Sequence, residues 1–445
     1  MLTDQQKDLI LAVERHIWAE PETGFREAKT TAYLRSIFQS LGYAPIMAEG
    51  ITGFYADLDT GIPGPTIAVM GEMDSLICRS HPDADPVTGA VHACGHHAQC
   101  AMLVGVAAAM RNAGTLDGLC GRIRFMAVPA EELIELSYRE GLRQQGVIEY
   151  FGGKMEFFRR GYFDGVDMAI MIHTGGLPAG KLLRFNGGYN GCVTKQAVFT
   201  GRSAHAGGAP QKGINALYAA TTAINAANAL RETFLDSGQV RYHPIITEGG
   251  QAVNAIPDRV TVESYVRANE INLMRRYNTA VNRAVAASAA ALGASVKLID
   301  HIGYFPLVNS DILRDVMAES MTALAGEESV IHSNTRSAGS TDAGDLSTLM
   351  LVIHPGSTGA VGTAHGEDYR IADPYAACVQ TAECVVGALR RLLANGGARA
   401  RAVTANYRPL FASLADYRRA AAEFCLDLDA VEPQADGSIR IRYQH

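Results

Sequence analysis

Short apolar runs alternate with amphipathic, helix-length segments through the first third of the chain, and several of the runs end on acids or histidines. Residues 4–18, 26–41 and 98–112 carry helical periodicity, whereas 53–58, 66–70, 121–128 and 167–173 read as strands. Strands separated by helices predict a mostly parallel sheet covered on both faces, a doubly wound α/β architecture. In such sheets a ligand sits beyond the carboxyl ends of the strands. Asp74, the pair Glu131 and Glu132, and His173 all fall at such ends.

From about residue 187 the texture changes to strand, helix (213–230), strands (242–247 and 259–268), helix (273–292) and strand (295–301). This β-α-β-β-α-β order is the split, ferredoxin-like pattern and predicts an α+β domain inserted into the first. The expected division is 1–186 with 306–445 for the catalytic domain and 187–305 for the insert, the α/β pattern resuming with helices near 310–325 and 376–394 and ending in a mixed tail over 398–445. At 445 residues two domains are the natural expectation, because single cores stop growing near about 250–300 residues. A hydrophobic fraction of 48% with 19% charged residues is an ordinary globular composition. Net charge of −7 leaves no basic face for nucleic acid. The acidic start MLTDQQKDLILAVERHIWAE is not a secretory signal, and no apolar run is long enough to span a bilayer, so a cytoplasmic protein without a membrane or nucleic-acid partner is expected. The eight cysteines show no short-spaced framework, and only Cys94 has neighbours suggestive of chemistry.

Those neighbours stand in VHACGHHAQCAML, where His92, Cys94, His96 and His97 lie in a glycine-containing turn that opens a helix. A turn lets alternate side chains converge, and thiolate and imidazole both suit borderline transition metals. In FMAVPAEELIEL an apolar strand ends on Glu131-Glu132, whose adjacent side chains point different ways, so that one carboxylate can hold a metal while the other carries a proton. His173 closes the strand in AIMIHTGG.

Together with GEMDSL, GGKMEFFRRGYFDGVDMAIMIH, GRSAHAGGAPQKGINAL, GGQAVNAIPD, STDAGDLS and GTAHGEDYRIADP, these motifs resemble, in order over residues 5–395, the dinuclear-metal aminoacylases and carboxypeptidases. The likeness is to the branch of hippurate hydrolase, indoleacetyl-amino-acid hydrolase and aminobenzoyl-glutamate hydrolase. It implies a metallopeptidase-like catalytic domain with an inserted ferredoxin-like domain, and two divalent ions (manganese, zinc or cobalt). Cys94 is then the bridging thiolate, with His96, Glu132, His173 and His365 as further ligands and Glu131 as general base. Asp74 matches an acid that supports a ligand; Glu72 stands where other branches have a histidine. In the insert, His205 matches a histidine that polarises the scissile carbonyl, often across a dimer interface, and Asn254 and Arg267 match groups that hold a substrate carboxylate. A homodimer or higher oligomer is implied. The chain departs from the family at His97, which replaces an acid, and in the long stretch 133–151, whose Tyr138, Arg139 and Arg143 are candidates for contact with an anionic or aromatic substrate.

The function implied is metal-dependent hydrolysis of the amide of an N-acyl or N-aroyl amino acid, or a dipeptide-like amide, with a free carboxylate. Two ions about 3.5–4 Å apart would lower the pKa of a shared water toward neutrality, Glu131 would carry its proton, and His205 would stabilise the oxyanion. An aromatic aminohydrolase of the nitroanthranilate type is an alternative, and a non-catalytic binding protein a remote one.

Overall fold

A computed structural model describes residues 2–405 and 407–443, which divide into two compact units. The first comprises residues up to 188, 308–335 and 345–412; the second comprises 189–307, 336–344 and 413 onwards. The expected insert, 187–305, corresponds to 189–307 with each boundary shifted by two residues, and two further segments change unit. Segments 336–344 and 413–443, assigned from sequence to the catalytic domain, lie in the second unit.

In the first unit, helix α1 (Asp4–Trp18) opens on a capping box in which Thr3 and Gln6 satisfy each other's backbone N–H, and it buries Ile10, Val13 and Ile17 along one face. Helix α2 (Ala28–Ser40) follows. Strands β1 (Phe54–Asp59), β2 (Thr66–Glu72), β3 (Arg122–Val128) and β4 (Met168–Ile170) build a six-stranded sheet in the order Ile46–Met47, β1, β3, β2, β4, Leu351–Ile353. Strand β2 runs parallel to both β3 and β4, and β4 runs parallel to the edge strand Leu351–Ile353, whereas β1 pairs with β3 antiparallel. Strand β2 is buried on both faces after its first residue, which explains its unbroken apolar run. Helix α3 (His96–Met110) is buried along its whole length. Its small residues allow that: a Cβ at Gly105 would come within 2.6 Å of Ile10 and 2.9 Å of Ala382. The expected strand 167–173 is split. β4 ends at Ile170, and His173–Thr174 joins a separate sheet beside Gly356–Ser357.

The second unit holds β5 (Gly191–Thr200), helix α5 (Ala216–Ala229), β6 (Arg241–Glu248), β7 (Arg259–Ala268), helix α6 (Ile271–Ala291) and β8 (Ser295–Tyr304); helix α4 (Leu136–Gln144) precedes them in the first unit. The order β6-β7-β5-β8, all antiparallel, is the ferredoxin-like arrangement read from the sequence. Two strands extend it: Leu426–Pro433 pairs with β8, and Ile439–Ile441 pairs with that strand in turn. The tail therefore completes this sheet instead of the catalytic domain.

Inside the second unit Lys195 of β5 lies opposite Asp300 of β8 in register, both buried. The ammonium is 2.7 Å from each Asp300 oxygen and donates to Asn278 and Asn282, one turn apart on α6, while both asparagine amides donate back to Asp300. Burial pushes the Lys195 pKa down and Asp300 opposes it. Breaking one side leaves an uncompensated buried charge, which costs about 3–5 kcal/mol. Among the described residues no helix is long and apolar enough to cross a membrane. Lys195→Met should lower the unfolding free energy by about that amount, and adding Asp300→Leu should recover only part of it, because the buried Asn278 and Asn282 amides then lose both partners; urea unfolding of wild type, single and double variants measures this, and a single variant as stable as wild type would contradict it.

Candidate active site

At the carboxyl end of β2, Glu72 and Asp74 face the first turn of α3. The turn Cys94-Gly95-His96 depends on Gly95, whose φ of 94° is left-handed and whose added Cβ would lie 2.4 Å from the Tyr369 hydroxyl. It sends the Cys94 thiol and the His96 ring to one side. His92 and His97, read from sequence as part of the same cluster, turn elsewhere: His97 Nε2 is 3.3 Å from Glu14 on α1, and its ring packs against Trp18 and His92.

Five side chains assigned to metal from the sequence come together within the first unit. The donor atoms of Cys94, His96 and His173 lie within 4.8 Å of one another, as do those of Cys94, Glu132 and His365. Cys94 thus belongs to two overlapping triads. The donor atoms of His96, Glu131 and Glu132 form a third such group. The imidazoles are aimed by their other nitrogens. His96 Nδ1 donates to the Asp74 carbonyl at 2.9 Å, with Asp74 Oδ1 at 3.2 Å, and His173 Nδ1 donates to the Thr174 carbonyl at 3.0 Å. A carbonyl can only accept, so in each neutral ring Nε2 presents its lone pair. His173 Nε2 is 3.3 Å from the Cys94 sulfur. Asp74 also accepts from the Glu132 N–H at 2.8 Å, tying the two strand ends together.

The donor set fits divalent ions on a local observation. His96 Nε2 and Glu132 Oε1 are buried and make no hydrogen bond, although His365 Nε2 stands 3.2 Å from the Glu132 oxygen. Atoms that close without hydrogen-bond geometry are spaced like donors to one ion, where bonds of about 2.0–2.3 Å leave donors about 3–4 Å apart. The field agrees. Burial and Glu132 push the Cys94 thiol up, but His173 and His96 outweigh them and bring it to about 6. Burial pushes Glu132 up, yet His365 and His96 hold it down at about 2. Glu132 carries His365 up to about 11 against burial. Thiolate and carboxylates therefore stabilise positive charge among them.

Backbone strain marks the same place. Of six non-glycine residues with positive φ among the described residues, Ala130 (56°) precedes the glutamate pair and His365 (65°) is itself a candidate ligand. The His365 N–H is held by the Ala93 carbonyl at 2.8 Å.

Sequence reasoning missed a buried charge cluster behind His96. Glu72 is fully buried; one oxygen pairs with the equally buried Lys154 ammonium, and the other accepts from Gln99 at 2.6 Å. Burial raises its pKa, but Lys154 and His96 hold it well below the usual carboxylate range. Neither its partner, 82 positions away, nor its burial has a local signature in sequence.

The candidates from 133–151 are placed differently from expectation. Arg139 is 1% exposed and donates to main-chain carbonyls, so its guanidinium is not turned to a substrate. Arg143 pairs with Glu140 one turn away, and Tyr138 lies under the Arg26 guanidinium at 3.7 Å. These are contacts within the chain.

In the second unit, His205 is exposed, and its Nδ1 accepts from the Gly207 and Gly208 N–H groups at 3.1 and 2.9 Å. The neutral ring must then carry its proton on Nε2, pointing away from its own turn. Asn254 is adjacent, its carbonyl accepting from Ala206, with His205 bridged to Ala255. Arg267 is elsewhere. Strand pairing sets Thr200 opposite Arg259 and Cys192 opposite Arg267, so Arg267 is at the far end of β7 from the His205 turn, about 25 Å along the strand.

Comparison with known proteins places this architecture. The model of peptidase family M20/M25/M40 matches residues 53–391. The chain is 32% identical over 260 residues to indole-3-acetyl-aspartic acid hydrolase of Enterobacter agglomerans, covering 56% of this chain and 55% of that protein, and the match thus spans about half of that relative. It is 28% identical over 320 residues to an N-acyl-L-amino acid amidohydrolase of Geobacillus stearothermophilus, covering 70% and 80%. Among solved structures, a dinuclear metal binding peptidase of Bacillus subtilis superposes with a TM-score of 0.64 at 20% identity, covering 88% of this chain and 99% of that one. The chain belongs to peptidase family M20/M25/M40.

Proposed function

We propose that this protein is a metal-dependent amidohydrolase that cleaves the amide of an N-acyl or N-aroyl amino acid, or a dipeptide-like amide, bearing a free carboxylate. The observation that carries the reading is the pair of donor triads sharing Cys94. On this reading Cys94, His96 and His173 hold one divalent ion and Cys94, Glu132 and His365 the other, the ions being manganese, zinc or cobalt. The relatives support the substrate class: several are named for an acyl group joined to an amino acid.

When bound, the two ions would supply Lewis acidity at the scissile carbonyl and lower the pKa of a water toward neutrality. Glu131, next to the ligand Glu132 and with Oε2 3.9 Å from His96 Nε2, takes the proton of the attacking water and returns it to the leaving nitrogen. Asp74 fixes the His96 tautomer and the Glu132 backbone. His205 Nε2–H donates to the developing oxyanion, a donor of a kind worth about 3–4 kcal/mol. Asn254 and Arg267 take the substrate carboxylate, for which the guanidinium offers paired donors.

We also propose that His205 and Asn254 act in the site of a partner copy in a homodimer. Their separation from Arg267 supports this, since groups about 25 Å apart along one strand are not expected to grip one small substrate from a single copy. Exposed Ile245 and Ile246 on the edge strand β6, with exposed Tyr218 and Val253 nearby in sequence to its flanking elements, support association through this unit. Arg139, a candidate for contact with an aromatic substrate, runs inward instead and gives the aryl-amine alternative no support.

A panel of N-acyl amino acids, dipeptides and amino-aromatic acids, assayed with added manganese, zinc or cobalt, tests the reading: amide cleavage that fails on the carboxylate methyl esters is expected, whereas ammonia release from amino-aromatic acids alone would overturn it. Glu131→Gln should keep its metal and lose about 10²- to 10⁴-fold in turnover, while Glu132→Gln should lose metal. Metal analysis alongside kcat checks this, and the reverse pattern would exchange the two roles. Mixing His205→Ala with Glu131→Gln subunits should regenerate activity, because one site of a mixed dimer keeps both residues; no recovery after demonstrated subunit exchange would place His205 in its own chain's site or outside catalysis.

A further inference from the structure

The turn that carries Glu131 and Glu132 leaves β3 at Val128 and passes through Ala130 in the left-handed region, so strand pairing does not satisfy its main chain. Buried side chains do much of that instead. The Ala130 N–H donates to the buried Glu27 carboxylate at 2.8 Å and the Glu132 N–H to Asp74 at 2.8 Å. On the carbonyl side stands Arg139: one guanidinium nitrogen reaches the Phe151 carbonyl at 2.6 Å and the Ala130 carbonyl at 3.5 Å, and the other donates to the Glu132 carbonyl. The Ala130 and Glu132 carbonyls also accept from the Gly153 and Ile134 N–H groups.

Arg139 is the largest of the fully buried side chains among the described residues, and its hydrogen-bond partners are carbonyls instead of a carboxylate. A guanidinium is costly to bury in that form, because partial charges replace water without neutralising it. Its surroundings are built to admit it. An added Cβ at Gly24 would lie 2.5 Å from the Arg139 nitrogen and 2.9 Å from Ala130 Cα. Helix α4, which bears Arg139, is docked on the same segment: Glu135, with φ 52°, accepts from Thr23 at 2.7 Å and pairs with Arg26, and Arg26 covers Tyr138.

We infer that segment 134–151 is a buttress for the catalytic turn and that Arg139 is a positioning residue, fixing the Ala130 and Glu132 carbonyls so that the Glu131 and Glu132 side chains keep their separate directions. The inference rests on the functional reading above for the roles of the two glutamates. Donors in a rigid plane span three carbonyls; a lysine at the same position has the charge without the span.

The test compares wild type with Arg139→Lys and Gly24→Ala, the second keeping the arginine but crowding it. Metal-free protein is titrated with Mn²⁺ by calorimetry, and kcat and KM are measured on whichever amide the wild type cleaves. Both variants should retain a cooperative melt, bind one ion as wild type does, and bind the other about 10-fold more weakly, as for loss of support behind a ligand. Turnover should fall about 100-fold with KM nearly unchanged, the signature of a misplaced group. Ethylguanidinium should partly restore Arg139→Ala turnover at concentrations that leave its melting temperature unchanged, which recovery of folding alone would not give. Wild-type Mn²⁺ affinities at both sites together with wild-type kcat, or losses that track only the folded fraction without guanidinium rescue, would overturn the inference. Should wild type cleave no amide, the functional reading fails, and the Mn²⁺ titration alone decides whether Arg139 supports the Glu132 side: weaker binding upholds the buttress, unchanged binding removes it.

Discussion

Cys94 sits where two groups of donors overlap, with His96 and His173 on one side and Glu132 and His365 on the other. A single sulfur between two cations must be ionised, and burial alone works against that. The pull of His173 and His96 reverses the effect and brings the thiol to about 6. Much of the surrounding structure can be understood as holding that arrangement: Gly95 turns the chain so that Cys94 and His96 converge, Asp74 orients both His96 and the Glu132 backbone, and the Ala93 carbonyl holds the strained His365.

Charge is balanced in layers outward from that centre. Glu72 carries negative charge to within 3.2 Å of His96 Nε2, and Lys154 behind it offsets the charge without facing the donors. A carboxylate buried this completely would be unfavourable alone; with the ammonium on one oxygen and Gln99 on the other it is satisfied. The same pattern recurs around the glutamate turn, where Glu27 and Asp74 take the N–H groups and Arg139 takes carbonyls. In the second unit Lys195 and Asp300 form a closed network of the same kind, far from any donor cluster in sequence, which argues that buried ion pairs in this chain serve rigidity as well as chemistry.

Elements whose pattern is local were readable from the residues. Strand β2 is apolar throughout because both its faces are covered, and the acids at its end stand out against that run. Cys94 and His96 are neighbours across one glycine. His365, by contrast, has no local mark, and only resemblance pointed to it. Long-range partners were not legible: Glu72 meets Lys154 across 82 positions, and Leu426–Pro433 joins β8 only because a register forms over more than a hundred residues. Arg139 misled for a plain reason. A charged residue on a short polar helix reads as surface, and nothing in the sequence says that Gly24 has left room for it to point inward. His92 and His97 erred the other way, since crowding in sequence suggested shared ligation, while His97 faces Glu14 and Trp18 and the His92 ring packs against His97.

The claim on which the rest turns is that one thiolate serves two ions. X-ray absorption on protein loaded with two equivalents of Zn²⁺, and then on Cys94→Ser treated identically, measures sulfur directly in the coordination shell. The account predicts an average of one sulfur at about 2.3 Å for every zinc in the wild type, and none in the variant. A wild-type shell of nitrogen and oxygen alone, or sulfur at only half the zinc, would contradict it.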